Sequence, residues 1–600
     1  YDLANRPVRV KTSEDAKHVY TGQVAYDNVY GNLSEFTEKV GENRQEFGTK
    51  FGYDDENRPT SLTYSASGKE IGQSTTTIDK LNRTTFSAVK LGSKTFTSEY
   101  HFAAGGYGTG SVTNLVASIT QPGCNCGYGY DDNGNIASAT LNGKWTGYTY
   151  DALGQLIQVN DHSDTRSAAD GTTWKYTYDL GGNILKKERF VYNDTTNPLE
   201  TVTYEYGDAN WRDKLTAVNG STIRYDAIGN PLNDGTWTYT WQNGRQLQKM
   251  QKAGMTAEFV YNADGLRVQK TVNGVATKYT LHGKNVVHMT SGTDELHFFY
   301  DAQNRPAVVV YNGTAYAYVK SLQGDIVAIL DENGNTVVSY GYDAWGAPLW
   351  CTGELAETLG KVQPFRYRGY VFDEETGFYY VSSRYYDPEI GRFISPDTTD
   401  VLTATPMGLT DKNLYAYCDN NPVVRVDHGG QFWETVFDVI SLGASIVEVC
   451  INPTDPWAWA GLAGDAIDLI PFVTGVGEVT RAVKTIDKVT DTVQIAKAVD
   501  FTDDAADIVK TLDRSSGFTK STASAGRRIH AGYKATDNFS SIGKEYRRIN
   551  GIRPDYIDFN TRTIYELKPM NPRGVRSGIC QLQKYNKELG GGFNLRLELY

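Results

Sequence analysis

Short segments in which apolar and polar residues alternate strictly recur along residues 1–363, as in TWTYTW at Thr236–Trp241. A period of two is typical of half-buried strands. Most of these segments are followed by residues that favour turns, such as Asp, Asn and Gly. The pattern therefore predicts a mostly β fold, a long ribbon of hairpins that follow one another along the chain.

One short phrase marks the turns. It begins with Tyr and Asp or Asn, continues through one or two variable positions to Gly or Asn, and leads into the next strand. We expect the strand to end at the Tyr, the Asp to cap the turn, and both residues to be architectural, because so many copies of a catalytic residue would serve no purpose. The copies begin at Tyr26, Tyr53, Tyr130, Tyr150, Tyr178, Tyr225, Tyr261, Tyr300 and Tyr342.

Residues 364–430 carry the most specific motif of the chain, PFRYRGYVFDEETGFYYVSSRYYDPEIGRFISPD, followed by NLYAYCDNNPVVRVDHGG. With the YD phrases, this motif resembles the Rhs and YD-repeat proteins and their repeat-associated core. The resemblance implies a β-ribbon wound into a hollow shell that encloses a toxic C-terminal domain. We expect four parts: repeat shell at 1–363, core at 364–430, helical linker at 431–520, and toxin domain at 521–600.

In several proteins of this family the core ends in a self-cleaving aspartyl protease. The matching stretch here runs from Pro422 to Gly430, with Asp427 at the Asp position. The resemblance gives Asp397 as the partner carboxylate, since two carboxylates that share a proton can act as acid and base on water. His428 stands where the family has Pro, and the alternative interpretation is that both Asp residues cap tight turns.

Beyond Gly430 the YD phrases stop, and apolar residues recur three and four positions apart. This spacing predicts helices between Phe432 and Leu512. Uncharged apolar runs stay well short of the roughly 18 residues that a transmembrane helix needs. We expect these helices to pack inside the shell or on the toxin domain, with transient membrane contact through 432–480 as the alternative.

Charge divides the chain more sharply than composition does. The formal net charge of −12 would argue against a polyanionic partner, but residues 521–600 hold 14 Lys and Arg against 7 Asp and Glu, a net of +7. The remaining residues carry −19. A module with this net positive charge is suited to bind nucleic acid.

The first residues, YDLANRPVRV, lie within a repeat motif. We therefore expect the sequence to be a piece of a longer repeat array.

Two strands of this basic block predict a catalytic site. Asn560 and Thr561 form a two-residue turn between them, which pairs Asp558 with Thr563 and sets Asp555 opposite Glu566. Facing carboxylates repel unless a cation lies between them, and oxygen ligands suit Mg²⁺ or Mn²⁺. Period two places Lys568 on the face of Glu566 and points Asp558 the other way.

The order of Asp555, Glu566 and Lys568, with the helix GICQLQKYNKEL after them, resembles the PD-(D/E)xK nucleases of restriction-endonuclease-like fold. The resemblance implies a metal at Asp555 and Glu566 and catalytic roles for Lys568, Gln581 and Tyr585. Glu545 is a weaker candidate for a further acidic residue, and His530 is expected to be structural. Phosphate contacts are expected above all from Arg553, Arg573 and Arg576.

The sequence thus predicts a secreted or surface-delivered toxin whose nuclease domain acts in the cytoplasm of a target cell. Its partners would be DNA or RNA, an acidic immunity protein that covers the basic cleft, and a secretion or delivery machinery. The alternative is a structural or adhesive surface protein whose C-terminus only binds nucleic acid or another polymer. Motifs of other hydrolases, such as HExxH and GxSxG, are absent from the basic block.

Overall fold

The computed structural model describes residues 8–13, 19–27, 32–40, 45–105, 112–398, 413–427, 434–435, 494–495, 498–500, 512–513, 556–558, 563–568, 581–582, 584–585 and 594–599. The chain divides into two compact units, Tyr1–Thr474 and Gly475–Tyr600. Strands dominate both units, which confirms the predicted mostly β fold.

The first unit opens with an eighteen-stranded sheet in which each strand pairs antiparallel with the next one along the chain. This arrangement is the predicted ribbon of hairpins. Its strands are β1 (Arg9–Ser13), β2 (Val19–Tyr26), β3 (Leu33–Val40), β4 (Gln45–Tyr53), β5 (Pro59–Ala66), β6 (Lys69–Ile78), β7 (Thr84–Leu91), β8 (Lys94–Ala104), β9 (Val112–Thr120), β10 (Cys126–Tyr130), β11 (Ile136–Leu141), β12 (Lys144–Tyr150), β13 (Leu156–Asp161), β14 (Thr172–Tyr178), β15 (Ile184–Val191), β16 (Glu200–Glu205), β17 (Ala217–Val218) and β18 (Ser221–Thr222).

A second sheet of fourteen strands continues the same meander. Buried residues of both sheets belong to one hydrophobic core, in which Leu156 of the first sheet and Val308 of the second are fully enclosed. The strands are β19 (Arg224–Tyr225), β20 (Pro231–Asn233), β21 (Thr238–Gln242), β22 (Gln246–Lys252), β23 (Met255–Tyr261), β24 (Arg267–Val272), β25 (Val275–His282), β26 (Asn285–Ser291), β27 (Asp294–Tyr300), β28 (Pro306–Tyr311), β29 (Thr314–Lys320), β30 (Ile326–Leu330), β31 (Thr336–Tyr342) and β32 (Pro348–Thr352).

Each of the nine repeat tyrosines is the last residue of its strand, as predicted. A register shift directly before Tyr150 marks a β-bulge there, and the Tyr150 hydroxyl donates to the carbonyl of Ile136 at 2.7 Å. The tyrosine thus ties its turn to the start of the preceding hairpin strand. A bond to the first or second residue of a strand is also made by Tyr53, Tyr178, Tyr261, Tyr300 and Tyr342. Tyr130 bonds instead to the carbonyl of Val116 within β9, and Tyr225 to that of Leu215 just before β17.

The aspartate of the phrase closes the turn. Oδ1 of Asp151 accepts the backbone N–H groups of Leu153 and Gln155, each at 2.9 Å. Gly154 has a φ of +79°, a conformation that side chains disfavour. Because the aspartate satisfies amides that the turn leaves without strand partners, its conserved place in the phrase is structural.

The described residues 359–398 and 413–427 form a compact insert against both sheets. It contains α1 (Leu359–Val362), the 3-10 turns Tyr367–Gly369 and Cys418–Asn420, and a four-stranded sheet. The fully buried rings of Tyr386 and Tyr417 stack with centroids 4.1 Å apart. The strands are β33 (Val371–Asp373), β34 (Phe378–Val381), β35 (Arg384–Asp387) and β36 (Arg392–Phe393), followed by the pair β37 (Arg425–Val426) and β38 (Glu434–Thr435).

The structure differs from the predicted helical linker at the few described positions of 431–520, all of which form short strands. These are β38, β39 (Gln494–Ile495), β40 (Ala498–Asp500) and β41 (Leu512–Asp513). β39 pairs with β41, and β40 pairs with a strand almost a hundred residues further on, so tertiary pairing overrides the local helical spacing here. The remaining residues of the linker, including most of 432–480, lie outside the described ranges.

The second unit contains a four-stranded sheet in the order β40, β44 (Asn594–Leu599), β43 (Thr563–Lys568) and β42 (Tyr556–Asp558). β43 runs antiparallel to β42 and parallel to β44. Parallel neighbours need a crossover connection. Helical residues at 581–582 and 584–585 lie within that connection. No helix in the described residues is long and apolar enough to cross a membrane.

Candidate functional site

The hairpin β42–β43 has the predicted register. Asp558 pairs with Thr563, Ile557 with Ile564, and Tyr556 with Tyr565. Continuing this register by one position brings residue 555 opposite Glu566. Residue 555 lies outside the described ranges, so the pairing of Asp555 with Glu566 stays a prediction.

Glu566 lies on β43, which has β42 on one side and β44 on the other. Its side chain is only 2% exposed, and its neighbours Ile564 and Tyr565 are also buried. A carboxylate at such a place is costly unless donors or a cation compensate for its lost hydration. The parallel partner of Glu566 is Leu597 on β44, a strand for which the sequence analysis made no prediction.

The helical residues after β43 carry the predicted Gln and Tyr. Leu582 and Tyr585 are buried, whereas Gln581 is half-buried. The Oε1 atom of Gln581 is enclosed and has no hydrogen-bond partner within the described part of the chain. A buried amide oxygen without a donor indicates that something else approaches it.

Other predicted residues of this site are placed only in part or not at all. Lys568 ends β43 opposite Leu599, two positions beyond Glu566 along the strand. The predicted phosphate contacts and the two weaker candidates lie outside the described residues. These are Arg553, Arg573, Arg576, Glu545 and His530.

The two carboxylates of the predicted self-cleavage site lie beside one guanidinium. Nη2 of Arg384, on β35, is 2.9 Å from Oδ2 of Asp397 and 3.3 Å from Oδ2 of Asp427. All three side chains are buried. Three segments that are separate in the sequence therefore meet at one buried cluster, hereafter the Asp397–Arg384–Asp427 cluster.

Arg384 was not among the predicted residues, although it lies in the RYYDPEIGRFISPD motif. Its guanidinium carbon is 3.5 Å from the centroid of the Phe393 ring, and its Nη1 donates to the carbonyl of Leu414. The guanidinium stands beside both carboxylates, an arrangement that differs from the expected pair sharing a single proton. The sequence offered one signal for it, an Arg within the most specific motif.

Burial and charge act in opposite directions on Asp397. Burial raises the pKa of its carboxyl above the usual value, and the Arg384 guanidinium opposes part of that rise. Oδ1 of Asp397 accepts the backbone N–H of Thr398 at 2.6 Å, and the backbone N–H of Asp427 donates to the Tyr370 hydroxyl at 3.0 Å. A backbone N–H thus holds the carboxylate of Asp397, whereas a side-chain hydroxyl holds the backbone of Asp427. His428 and Gln431 lie outside the described residues.

Two family models match the chain, each over part of its length. Residues 140–423 match the Teneurin YD-shell, and residues 518–600 match Restriction endonuclease fold toxin 9. These matches confirm the predicted resemblance to YD-repeat polymorphic toxins with a C-terminal restriction-endonuclease-fold toxin domain.

Curated relatives resemble the chain over about half its length. The tRNA nuclease WapA of Bacillus subtilis strain 168 is 34% identical over 321 residues, which cover 52% of this chain and 13% of the relative. The toxin protein Tse5 of Pseudomonas aeruginosa is 25% identical over 384 residues, covering 51% of this chain and 28% of the relative. The chain therefore spans only a small part of these relatives.

A solved structure has the same fold. The crystal structure of TcdB2-TccC3 superposes with a TM-score of 0.53 at 20% sequence identity, covering 70% of this chain and 22% of that one. At this identity the likeness concerns the fold alone.

Proposed function

We propose that this chain is part of a delivered toxin whose C-terminal unit is a metal-dependent nuclease that hydrolyses phosphodiester bonds. The observation that carries the proposal is the carboxylate of Glu566, buried on β43 between two neighbouring strands. Continued by one position, its hairpin register would set residue 555 opposite it. The strand, the helical residues of the crossover and the parallel strand β44 all fall within the residues that match the restriction-endonuclease-fold toxin family.

The donor set suits a divalent cation. Glu566 offers carboxylate oxygens inside the sheet, and Gln581 offers an enclosed amide oxygen without a partner among the described residues. Hard cations such as Mg²⁺ and Mn²⁺ take oxygen ligands of this kind. Asp555 and Glu566 would hold the ion, which when bound supplies positive charge beside the scissile phosphate and an activated water.

The roles of the protein groups follow from their positions. Lys568, two residues from Glu566 on the same strand face, would orient and polarise the attacking water. The burial of Tyr585 supports a role in anchoring the helix that presents Gln581, rather than in stacking on a base. Phosphate oxygens would be held by Arg553, Arg573 and Arg576.

The test uses the purified chain with duplex DNA and with tRNA, in Mg²⁺ and in EDTA. We expect cleavage of one substrate in Mg²⁺, none in EDTA, and a loss of at least about a hundredfold in rate for Glu566→Gln and Lys568→Gln. Lys584→Gln is the matched control, because Lys584 is exposed on the helix of the same unit. Equal rates for Lys568→Gln and Lys584→Gln would remove Lys568 from the site.

Intact DNA and tRNA in every reaction would overturn the nuclease proposal. Retention of either polymer without cleavage would favour the alternative, a structural or adhesive surface protein with a polymer-binding C-terminus. DNA and RNA are both retained as substrates, because metal and Lys chemistry serves either one.

We propose the following division of labour along the chain. The repeats (1–363) and core (364–430) would enclose the nuclease (521–600). The linker (431–520) would join them, packed inside the shell or on the toxin domain, with transient membrane contact through 432–480 as the alternative. The toxin is secreted or held at the cell surface, and the nuclease acts in the target-cell cytoplasm. A delivery machinery and an acidic immunity protein are its proposed partners. The immunity protein is expected to be acidic because residues 521–600 carry a net charge of +7.

We also propose that the Asp397–Arg384–Asp427 cluster cleaves the chain at the end of the core. Asp397, whose pKa burial raises, would donate a proton to the scissile amide. Asp427 would accept a proton from the attacking water. Arg384 would position both carboxylates, since its Nη2 lies within ion-pair distance of each. The alternative is a structural cluster that only locks the core.

A further inference from the structure

A second buried ionisable cluster lies where the first sheet meets the second, and it shares no residue with the sites described above. Glu38 of β3 stands between two imidazoles. Its Oε2 is 3.1 Å from Nε2 of His282 on β25, and its Oε1 is 3.3 Å from Nε2 of His297 on β27. All three residues are at most 5% exposed. A third buried histidine, His288 on β26, lies with its ring centroid 5.8 Å from that of His297.

Aromatic contacts hold these rings between the two sheets. His297 stacks on Phe47 of β4 with ring centroids 3.6 Å apart and an angle of 2° between the planes. His282 meets Phe36 of β3 edge-on at 4.8 Å. The imidazoles of the second sheet are therefore packed on strands of the first, and a change in their charge acts directly on the contact between the sheets.

The cluster is suited to protons rather than to a metal ion. Each imidazole approaches a different oxygen of Glu38, and no three His, Cys, Asp or Glu side chains in the described ranges converge on a common metal position. Nδ1 of His297 has no hydrogen-bond partner among the described residues. Within the described ranges, further ionisable groups that face the cluster are Glu295 at 3.4 Å from Nε2 of His288, Tyr20 against the His282 ring, and Tyr300, whose pKa the charge of Glu38 helps to raise.

We propose that Glu38, His282, His288 and His297 form a pH-sensitive contact between the two sheets, hereafter the seam. The seam keeps the two sheets packed together near neutral pH and lets them separate locally in acid. This function is independent of the nuclease and of self-cleavage. In an acidic compartment, the two sheets would separate locally around residues 33–40 and 275–300.

The direction follows from which state binds more protons. Burial lowers the pKa of His282 and His297 well below 6.5 and that of His288 to about 3. An opened seam exposes histidines that bind protons below about pH 6.5, so acid favours opening. Glu38 acts in the opposite sense, because burial raises its pKa well above 4.5 and the closed seam keeps a proton that the opened one releases.

The number of groups on each side decides the balance. On opening, three histidines become able to take up protons and one carboxyl becomes able to release one. Between about pH 6.5 and 5.0 the histidines therefore dominate, and the equilibrium constant for opening rises at least about a hundredfold. A merely structural cluster would show no such rise.

The test is hydrogen exchange of the whole chain at about pH 6.5 and 5.0, with rates corrected for the intrinsic pH dependence of exchange. In the wild type we expect the opening constant of residues 33–40 and 275–300 to rise about a hundredfold, and that of 172–191 to stay unchanged. The double variant His282→Gln with His297→Gln should abolish the rise. Glu38→Gln should increase it beyond about a thousandfold, because the opposing proton is lost.

His101→Gln, a change at an exposed histidine of the first sheet, is the matched control and should behave like the wild type. A wild-type seam that does not loosen in acid would overturn the proposal. The proposal would also be overturned if the Glu38 variant and the histidine variant changed the acid-induced rise of the opening constant in the same direction. If the variants fail to fold, the wild type alone decides, since equal loosening of 172–191 and of the seam contradicts a local proton switch.

Discussion

Arg267 donates two hydrogen bonds to the carboxylate of Asp373, from Nη1 to Oδ2 at 2.6 Å and from Nη2 to Oδ1 at 3.0 Å. Both side chains are buried, and Nζ of Lys270 lies 3.1 Å from the same carboxylate. Burial opposes ionisation of Asp373, but Arg267 and Lys270 outweigh it and lower its pKa. The bond joins the second sheet, through β24, to the insert that carries the Asp397–Arg384–Asp427 cluster.

Removing the Asp373 charge should destabilise the first unit strongly. We expect Asp373→Asn to lower the free energy of unfolding by about 3–5 kcal/mol, because it leaves the buried Arg267 without its counter-ion and Lys270 with Glu375 alone. Urea unfolding measures this. Glu46→Gln removes the partner of Lys39 from a largely exposed pair and should cost less than about 1 kcal/mol. Equal losses of unfolding free energy in the two variants would contradict a stabilising role for the buried Asp373 charge.

The repeat tyrosine should contribute through its hydroxyl as well as its ring. Tyr178→Phe removes the bond to the carbonyl of Leu156, at 2.6 Å, and we expect a loss of about 1–2 kcal/mol in unfolding free energy. Tyr316→Phe, at a half-buried tyrosine outside these turns, is the control. If Tyr316→Phe costs as much as Tyr178→Phe, the hydroxyl bond is not what the repeat conserves.

Asp387 should make stability depend on pH. Burial raises the pKa of its carboxyl from 3.8 to about 7. The folded state therefore keeps a proton that the unfolded chain loses above about pH 4, and stability falls as the pH rises from about 4 to 7. Part of the side chain reaches solvent, so screening limits this loss to about 1–3 kcal/mol.

Asp387→Asn should therefore stabilise the protein at about pH 8 and flatten its profile between about pH 4 and 7. Unfolding measured across this range tests the expectation. The exposed Asp132→Asn variant should leave the wild-type slope intact. A variant that is less stable than the wild type at pH 8 would show that Asp387 is ionised and paired in the folded protein.

Self-cleavage predicts a fragment pattern. The purified wild-type chain should separate into two pieces on a denaturing gel, and Asp397→Asn, Asp427→Asn and Arg384→Met should each remain intact. Asp264→Asn, at an exposed turn, should cleave like the wild type. Mass spectrometry of the products gives the cleaved bond. An intact, folded wild-type chain would leave the cluster with a structural role.

Metal binding should be measurable without turnover. We expect millimolar Mg²⁺ to raise the melting temperature of the C-terminal unit in the wild type, because a ligand that binds only the folded state stabilises it. Glu566→Gln should gain nothing from Mg²⁺, because it removes a carboxylate that would bind the ion. A Mg²⁺ effect that persists in Glu566→Gln would place the ion elsewhere.

Much of the fold could be predicted because its rules are local. The end of each strand at a repeat tyrosine, the aspartate-closed turns and the register of Tyr556–Asp558 against Thr563–Tyr565 all depend on residues a few positions apart. Period-two alternation and turn chemistry determine such features without reference to the rest of the chain. Prediction from local spacing does not hold at Ala498–Asp500. The spacing of apolar residues there predicts a helix, whereas these residues form a strand that pairs with β44.

The sequence by itself determined the hairpin array, the position of Glu566 on its strand and the pair of Asp residues worth examining. Only the tertiary structure decided that Arg384 stands beside Asp397 and Asp427, and that Glu38 meets His282 and His297. The physical reason is distance along the chain. Glu38 and His282 are brought together by the packing of one whole sheet on another, and no local pattern of side chains records that contact.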